Sequence, residues 1–564
     1  MNKMNKYHFL RRIVTLACLL ALSAIPAISG TGAAASPAQD YGPASDACPP
    51  LPPPTGEVVT VSTVTGLQNA VNSATSNTTI SIADGTYNLD GVYLRLDTPH
   101  VTLRSASGNR EAVILDGNYV TTEIVQIVAS DVTIADLTLR EAYYHPIHVM
   151  STDAGDTENT TIYNVHIIDP REQAIKINPD TAGYYPDDGL IACSHIELTD
   201  TGRPHVNPTA GGCYTGGVDA HQAQGWVIRD NLIEGFWCEN GLSEHGIHLW
   251  RGCRDTLVER NVLRDNARGI GFGLETSGDA RTYPDNPCPG AGGGYVDHYD
   301  GFIRNNFVFA SRDALFSSEY GFDCGVCLWQ ACGAQVLHNT VASTQAPFSS
   351  VEWRFSNTDV DIINNLVSHN LRDRGGSAYL AGNLEDAPLS LFVDGTNGDL
   401  HLAASASSAI DQGVTLAGGL CDDDIDGDPR PIGSARDVGA DEYGTPPPAA
   451  VTDLRVPHAV AGTGTLTATL RWTGPAGAIT YSLRHSSALI NETNWASATT
   501  VSVPFAATPG STEWLTAPVS YTGGTVYFAL KSQNGEGNWS DLSNNAFWPH
   551  FDVYLPLVLR GYGR

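Results

Sequence analysis

Lys176, Asp219, His221, His248 and Arg251 bring an ammonium, a carboxylate, two imidazoles and a guanidinium into one stretch of a 564-residue chain. Those are the groups that a β-elimination beside a carboxylate requires: a cation to neutralise the carboxylate, a base for the proton on the adjacent carbon, and an acid for the departing oxygen. His221 and His248 would titrate near neutrality and serve as bases without a large shift. An ammonium beside a carboxylate stays charged, so Lys176 next to Asp219 suits charge neutralisation better than proton abstraction. Arg251 and Arg268 carry the planar fork that clamps a carboxylate through two hydrogen bonds. Trp250, Trp237 and Tyr184 offer flat faces to sugar rings and, with Arg268, make up the expected substrate-binding set. The opposing reading is that these are solvated outward residues of a scaffold, since most surface charges have no specific task.

A repeat is what could position them. Gly217 to Glu275 writes one short pattern three times, as GVDAH, GIHLW and GIGFG, with apolar-x-x-Asn-apolar-apolar copies at Ile228 and Val258 between them. A strand-like unit too short to bury its own apolar face, repeated at this period, implies a solenoid of stacked coils. From Val132 to Asn370 the coils register on one another, and one column reads Leu137, Val165, Ile196, Asn231, Asn261, Asn306, Asn339 and Asn365. Asparagines stacked at a strand turn can bond amide to amide between coils, which makes them structural. In the second strand of each coil, Ile147, Ile175, Val218, Ile247, Ile270, Leu315 and Val351 form an inward column. The neighbouring outward column runs His148, Lys176, Asp219, His248, Gly271, Phe316 and Glu352, and the next contains His221 and Trp250. With coils about 4.8 Å apart, Lys176, Asp219, His221 and His248 crowd on one outer face. Hydrolysis by a carboxylate pair needs a separation of about 5 to 9.5 Å, whereas Asp219 and Glu352 lie about 19 Å apart in their column.

Thirty-one basic residues against 61 acidic ones leave a net charge of -30. That balance disfavours nucleic acid and anionic membranes as partners, and an acidic polymer would need local cations or bound metal. The basic opening MNKMNKYHFLRR, the apolar run Ile13 to Ile28 and Ala33-Ala34-Ala35 read as a secretory signal over residues 1–35, and no later run is long enough to span a bilayer. Cys18 falls inside that signal, and the rest of the 11 cysteines form an even set suited to disulfides. Cys238 and Cys253 bracket one loop, and Cys193 and Cys213 another. Cys324-Gly-Val-Cys327 reads as a loop staple in an oxidising compartment, with a zinc half-site or a redox pair as the alternatives. A Pro-rich linker covers 36–56, the solenoid 57–445, a small module 446–548 and an apolar tail 549–564. The expected class is all-β, a right-handed parallel β-helix followed by a small β-sandwich, in a secreted or surface-exposed monomer.

Thr65 caps the helical pattern GLQNAVNSA ahead of ISIADGTYNL and further brief strands, an arrangement that closes the open end of a solenoid. With its ADGTY turn, this start resembles the right-handed parallel β-helix superfamily that includes pectate, alginate and chondroitin lyases. The resemblance implies a lyase acting on an acidic polysaccharide; such lyases often use Lys or Arg as base, and no motif here assigns those roles residue by residue. AIDQG, DGDPRP and DVGADEYG resemble the closing segment of the choice-of-anchor Q β-helix proteins of bacterial surfaces. That likeness implies cell-surface association and supports a rival reading as a non-catalytic glycan-binding rod. In the same segment Asp422, Asp424, Asp426 and Asp428 could bind Ca2+, although EF-hand spacing and its terminal Glu are absent. TLTATLRWTG, ITYSLRHS and TVYFALKSQN resemble a fibronectin type III module, with Trp472, Tyr481 and Tyr527 in its core aromatic places, which implies a spacer or carbohydrate-binding role.

Overall fold

Strands of three to six residues cannot bury an apolar face alone, and in this chain they do so by stacking. The computed structural model describes residues 48–208, 212–535 and 537–548, so the expected signal segment and the C-terminal tail lie outside the described residues. Successive coils contribute strands to three long sheets, one of fourteen strands and two of ten. Pairing within each is parallel, coil on coil. With the right-handed crossovers that parallel strands adopt, this is a right-handed parallel β-helix. Ile175, Val218, Ile247, Ile270, Val326 and Val351 are in register along one ten-stranded sheet and are fully buried. The helix Val64–Asn72 packs Leu67 and Val71 over the N-terminal end. Its cap is Thr63 and not Thr65: the Thr63 hydroxyl accepts from the Gly66 amide at 3.0 Å.

The corner between two of the sheets sets the register. One residue per coil there adopts a left-handed conformation, among them Asp136, Asn164, Cys193, Asp230, Asn305 and Asn364. Short Asp and Asn side chains tolerate that conformation best, which explains their recurrence. The next residue points inward. From Asn231 through Asn261, Asn306, Asn339 and Asn365 to Asn383, each amide nitrogen donates to the next side-chain oxygen at 2.9–3.0 Å. Ser194, not Ile196, precedes Asn231, whose Oδ1 accepts from the Ser194 amide at 2.9 Å. The left-handed Cys193 fixes the corner two residues earlier than the apolar count suggests.

Leu315 does not join the inward column. It sits in a short helix, Asp313–Phe316, within a lengthened coil, and the strand Cys324–Trp329 supplies Val326 inward and Cys327 outward in the places expected for Leu315 and Phe316. The closing segment adds no coil of its own; Leu391, Phe392, Leu400 and Ile425 pack on Phe307, Phe309 and Leu366 of the other ten-stranded sheet. Beyond it, sheets of three and four antiparallel strands enclose one core, with Trp472 and Tyr481 edge to face at 5.2 Å. Tyr527 lies on the outer face, and Phe528 fills the core, because alternation along Val526–Gln533 turns the even-numbered positions inward. Disulfides join Cys48 to Cys193, Cys213 to Cys238, Cys288 to Cys332 and Cys324 to Cys327, while Cys253 and Cys421 are free and buried. No helix among the described residues is long and apolar enough to cross a membrane.

Replacing Asn306 by Ala removes a side chain that bonds both neighbouring coils and leaves buried amides unpartnered. It should destabilise the β-helix by about 3 kcal/mol, against about 0.5 kcal/mol or less for the exposed Asn397→Ala. Guanidinium unfolding measures the difference; equal midpoints for the two variants would remove the ladder's structural role.

Candidate functional site

The outer face of the sheet containing Gly216–His221 gathers most of the predicted groups. Period-two alternation turns Lys176, Asp219 and His248 outward in one column and His221 and Trp250 in the next, with Lys176 registered on Asp219, Asp219 on His248 and His221 on Trp250. The expected solvation is absent. Lys176, Asp219, His221, His248 and Trp250 are all buried, Asp219 and His248 almost completely.

Lys176 is the centre of the cluster. Its Nζ donates to Asp219 Oδ2 in a short ion pair, lies 3.1 Å from His221 Nε2 and donates to the Tyr214 hydroxyl at 3.5 Å. Burial pushes the ammonium towards neutrality, but Asp219 and Tyr214 outweigh it and hold its pKa above the usual lysine value. Burial likewise penalises the Asp219 carboxylate, and Lys176, His221 and His248 overcome it, holding Asp219 well below the carboxylate range. Both directions describe one charged pair. The second Asp219 oxygen accepts from the Trp250 indole at 2.7 Å, which orients the carboxylate.

Burial lowers the His221 pKa, with Asp219 offsetting it only in part, so the ring is neutral at neutral pH. Burial raises the Tyr214 pKa despite Lys176, so its phenol keeps its proton. An uncharged base and a protonated acid therefore flank one ammonium. Tyr214 follows Cys213, whose disulfide to Cys238 fixes the loop leading into Gly216–His221. No periodic pattern marked Tyr214; only the adjacent cysteine hinted at an anchored position.

Arg251 is the most open cation of the group, with 37 % of its side chain exposed, its guanidinium 4.6 Å over the Trp250 ring and 3.6 Å from Glu275. Asp297, also unmarked in the sequence, holds that corner: its oxygens accept from the amides of Arg251, Leu274 and Glu275.

Other expected residues have different tasks. Arg268 donates its Nε to Asp323 at 2.8 Å and lies over Trp329, so that edge of its guanidinium is engaged within the fold. Trp237 is buried with the Arg203 guanidinium 3.9 Å over its ring, and its packing role comes from the loop that Arg203 ties down. His248 is enclosed by His245 and Trp250 and cannot touch a substrate in this conformation. Tyr184 remains exposed on its loop. Cys253 forms no staple with Cys238, and its thiol faces the Ala220 and Trp250 carbonyls.

The acidic run is a turn held by its own bonds. Asp424 accepts from the amides of Asp426, Asp428 and Glu442, Asp422 meets Arg436, and Asp426 meets His401. These carboxylates face separate protein donors instead of one common point.

Lys176→Met would leave the Asp219 carboxylate buried without a cation and should destabilise the protein by about 3–5 kcal/mol, whereas adding Asp219→Leu should recover about half of that. A double-mutant cycle by chemical denaturation tests the coupling, and additive losses would break the pair apart. Several buried imidazoles also make stability pH-dependent. His145 and His298 are pushed down to about 3 by burial. Their neutral forms are favoured in the fold, so stability is full above the unfolded histidine value and declines as pH falls from about 6.5 through the folded values. Melting temperature should therefore drop between about pH 7 and pH 4, and His298→Gln should flatten the slope; an unchanged slope would exclude His298 as a contributor.

No protein-family model and no curated protein matches the chain. Among solved structures, a pectate lyase aligns with a TM-score of 0.46 at 14% identity, covering 67% of this chain and 90% of its own. An alginate lyase from Paenibacillus sp. aligns at 0.30 with 12% identity, over 59% of this chain and 98% of its own. A polygalacturonase from Erwinia carotovora aligns at 0.33 with 11% identity, over 58% and 93%.

Proposed function

We propose that this chain is an exported, carbohydrate-active enzyme that cleaves a uronate-containing polysaccharide by β-elimination at the Lys176 cluster. One observation carries the reading: a buried ammonium touched at once by a neutral imidazole and a protonated phenol. Disulfides across the β-helix support export to an oxidising compartment.

In this mechanism Arg251 and Lys176 face the uronate carboxylate and neutralise it. The carboxylate draws the Lys176 ammonium away from His221 Nε2, which frees that lone pair. His221 then takes the proton from the carbon next to the carboxylate, the electron pair forms the new carbon–carbon double bond, and the glycosidic C–O bond breaks as Tyr214 gives its proton to the departing oxygen. Asp219 and His248 act through their neighbours: Asp219 keeps Lys176 charged and Trp250 oriented, and His248 packs behind them. The local cations also offset the repulsion that a net charge of -30 imposes on any polyanion.

A second reading has one observation in its favour. A cavity of about 510 Å3 on the fourteen-stranded sheet is lined in part by Asp359 and Asp361, and burial with Asp359 nearby raises the Asp361 pKa. Residues two apart on one strand face stand about 6.6 Å apart, within reach of an inverting hydrolase pair.

Incubation with pectate, alginate and glycosaminoglycans, with and without calcium, separates the alternatives. Ultraviolet absorbance of an unsaturated product is expected from at least one polymer. His221→Ala and Tyr214→Phe should each lower kcat by about 100-fold or more, and Arg251→Ala should act chiefly on KM. New reducing ends without absorbance, lost in Asp361→Asn, would move the activity to the second site. Silence across the panel, with glycan binding indifferent to His221→Ala, would leave a binding rod.

A further inference from the structure

His245 stands out among the buried polar residues described. It is fully buried, yet neither ring nitrogen has a hydrogen-bond partner. A neutral imidazole carries one N–H and one lone pair, and leaving both unmet in a protein interior costs about 1–3 kcal/mol for each group. The ring lies in a slot made for it. On the outward column where neighbouring coils place His248 and Cys327, the intervening coil has Gly271, and a Cβ there would come within 2.6 Å of the His245 ring.

Two further orphans face the same space. His248 Nδ1 and Glu244 Oε2 lack hydrogen-bond partners although they stand only 3.3 Å apart. His248 Nε2 approaches the Gly273 carbonyl at 3.4 Å, a contact in which nitrogen must donate. The remaining lone pair on Nδ1 then points into a region of carboxylate oxygen, with Asp219 Oδ1 at 3.7 Å as well. Lone pair against lone pair is repulsive unless a proton or a metal ion stands between them.

We propose that Glu244, His245 and His248 bind one divalent transition-metal ion of the zinc class. Each can present a ligand atom within 4.8 Å of the other two. Two ligands at about 2.0–2.1 Å from a tetrahedral ion lie roughly 3.3 Å apart, which matches the Glu244–His248 separation. Two imidazoles with one carboxylate form a borderline-soft set that prefers zinc to calcium, and the Gly273 carbonyl supplies the outer contact that fixes the His248 tautomer. The other clusters of potential ligands differ: His166 is bonded to Glu197 and Glu111, His401 to Asp399 and Asp426, and Cys324 and Cys327 are joined to each other. The inference is independent of polysaccharide cleavage, because none of the three ligands is assigned to touch substrate.

The full-length chain, stripped with chelator and reloaded with Zn2+ or Co2+, tests it through metal content, cobalt visible absorption and melting temperature. The wild type should retain about one equivalent and melt higher with zinc. His248→Gln and Glu244→Gln, checked for folding by circular dichroism, should each weaken binding by about tenfold or more. Cys324→Ser/Cys327→Ser should keep the metal. Retention of far less than one equivalent by the folded wild type would overturn the site, as would metal that survives both ligand variants or is lost only with the cysteines.

Discussion

The corner residue in the left-handed conformation, followed by an inward polar side chain, is the constraint on which the rest of the β-helix depends. A coil can bury its apolar positions only against the coils above and below it, and a slip of one residue would turn every side chain to the opposite face. The stack from Ser194 through Asn383 ties each corner to the next by side-chain and backbone bonds together. Because the corners are locked, loops between strands can vary without disturbing the register. The coil that inserts the helix Asp313–Phe316 still delivers Val326 to the inward column.

A rigid register also makes the outer face a place where charges can be confined. Successive coils bring side chains distant in sequence to one strand spacing, and loops stapled by Cys213–Cys238 cover them. Lys176 and Asp219 are thereby held as a buried ion pair, which costs solvation and is sustained by Tyr214, His221 and Trp250 around it. The same burial keeps His221 neutral and Tyr214 protonated. Four coils on from Asp219, the buried Glu352 accepts from the Trp329 indole and from Arg374, repeating the carboxylate–indole pairing. Between these two paired carboxylates lie His245, with both ring nitrogens unmet, and His248, with its Nδ1 unmet.

Much of the scaffold was legible in the sequence. Period-two alternation placed Lys176, Asp219, His248, His221 and Trp250 on the correct face and in the correct neighbouring coils, because parallel stacking on locked corners leaves little freedom. The misplacements share a cause. Ile196, Leu315 and Thr65 were assigned by counting apolar or helical positions, whereas the positions are set by backbone conformation at a corner, by an inserted turn and by a capping bond. Tyr214, Asp297 and His245 carry no periodic signal, since they belong to loops whose paths depend on distant partners.

Sequence alone determined the architecture, the stacking of the asparagines and the company that Lys176 keeps, because local alternation and a repeated corner recur in every coil. Burial was decided only in the tertiary structure. The outward positions looked solvated one strand at a time; loops from other coils close over them, and the removal of water is what sets their charge. Asp219 and Tyr214 keep Lys176 an ammonium against that closure, while the same closure leaves His221 uncharged, encloses Trp237 and His248, and leaves His245 with two nitrogens and no hydrogen-bond partner. Desolvation is a property of everything packed around a group, and no spacing of residues along the chain encodes it.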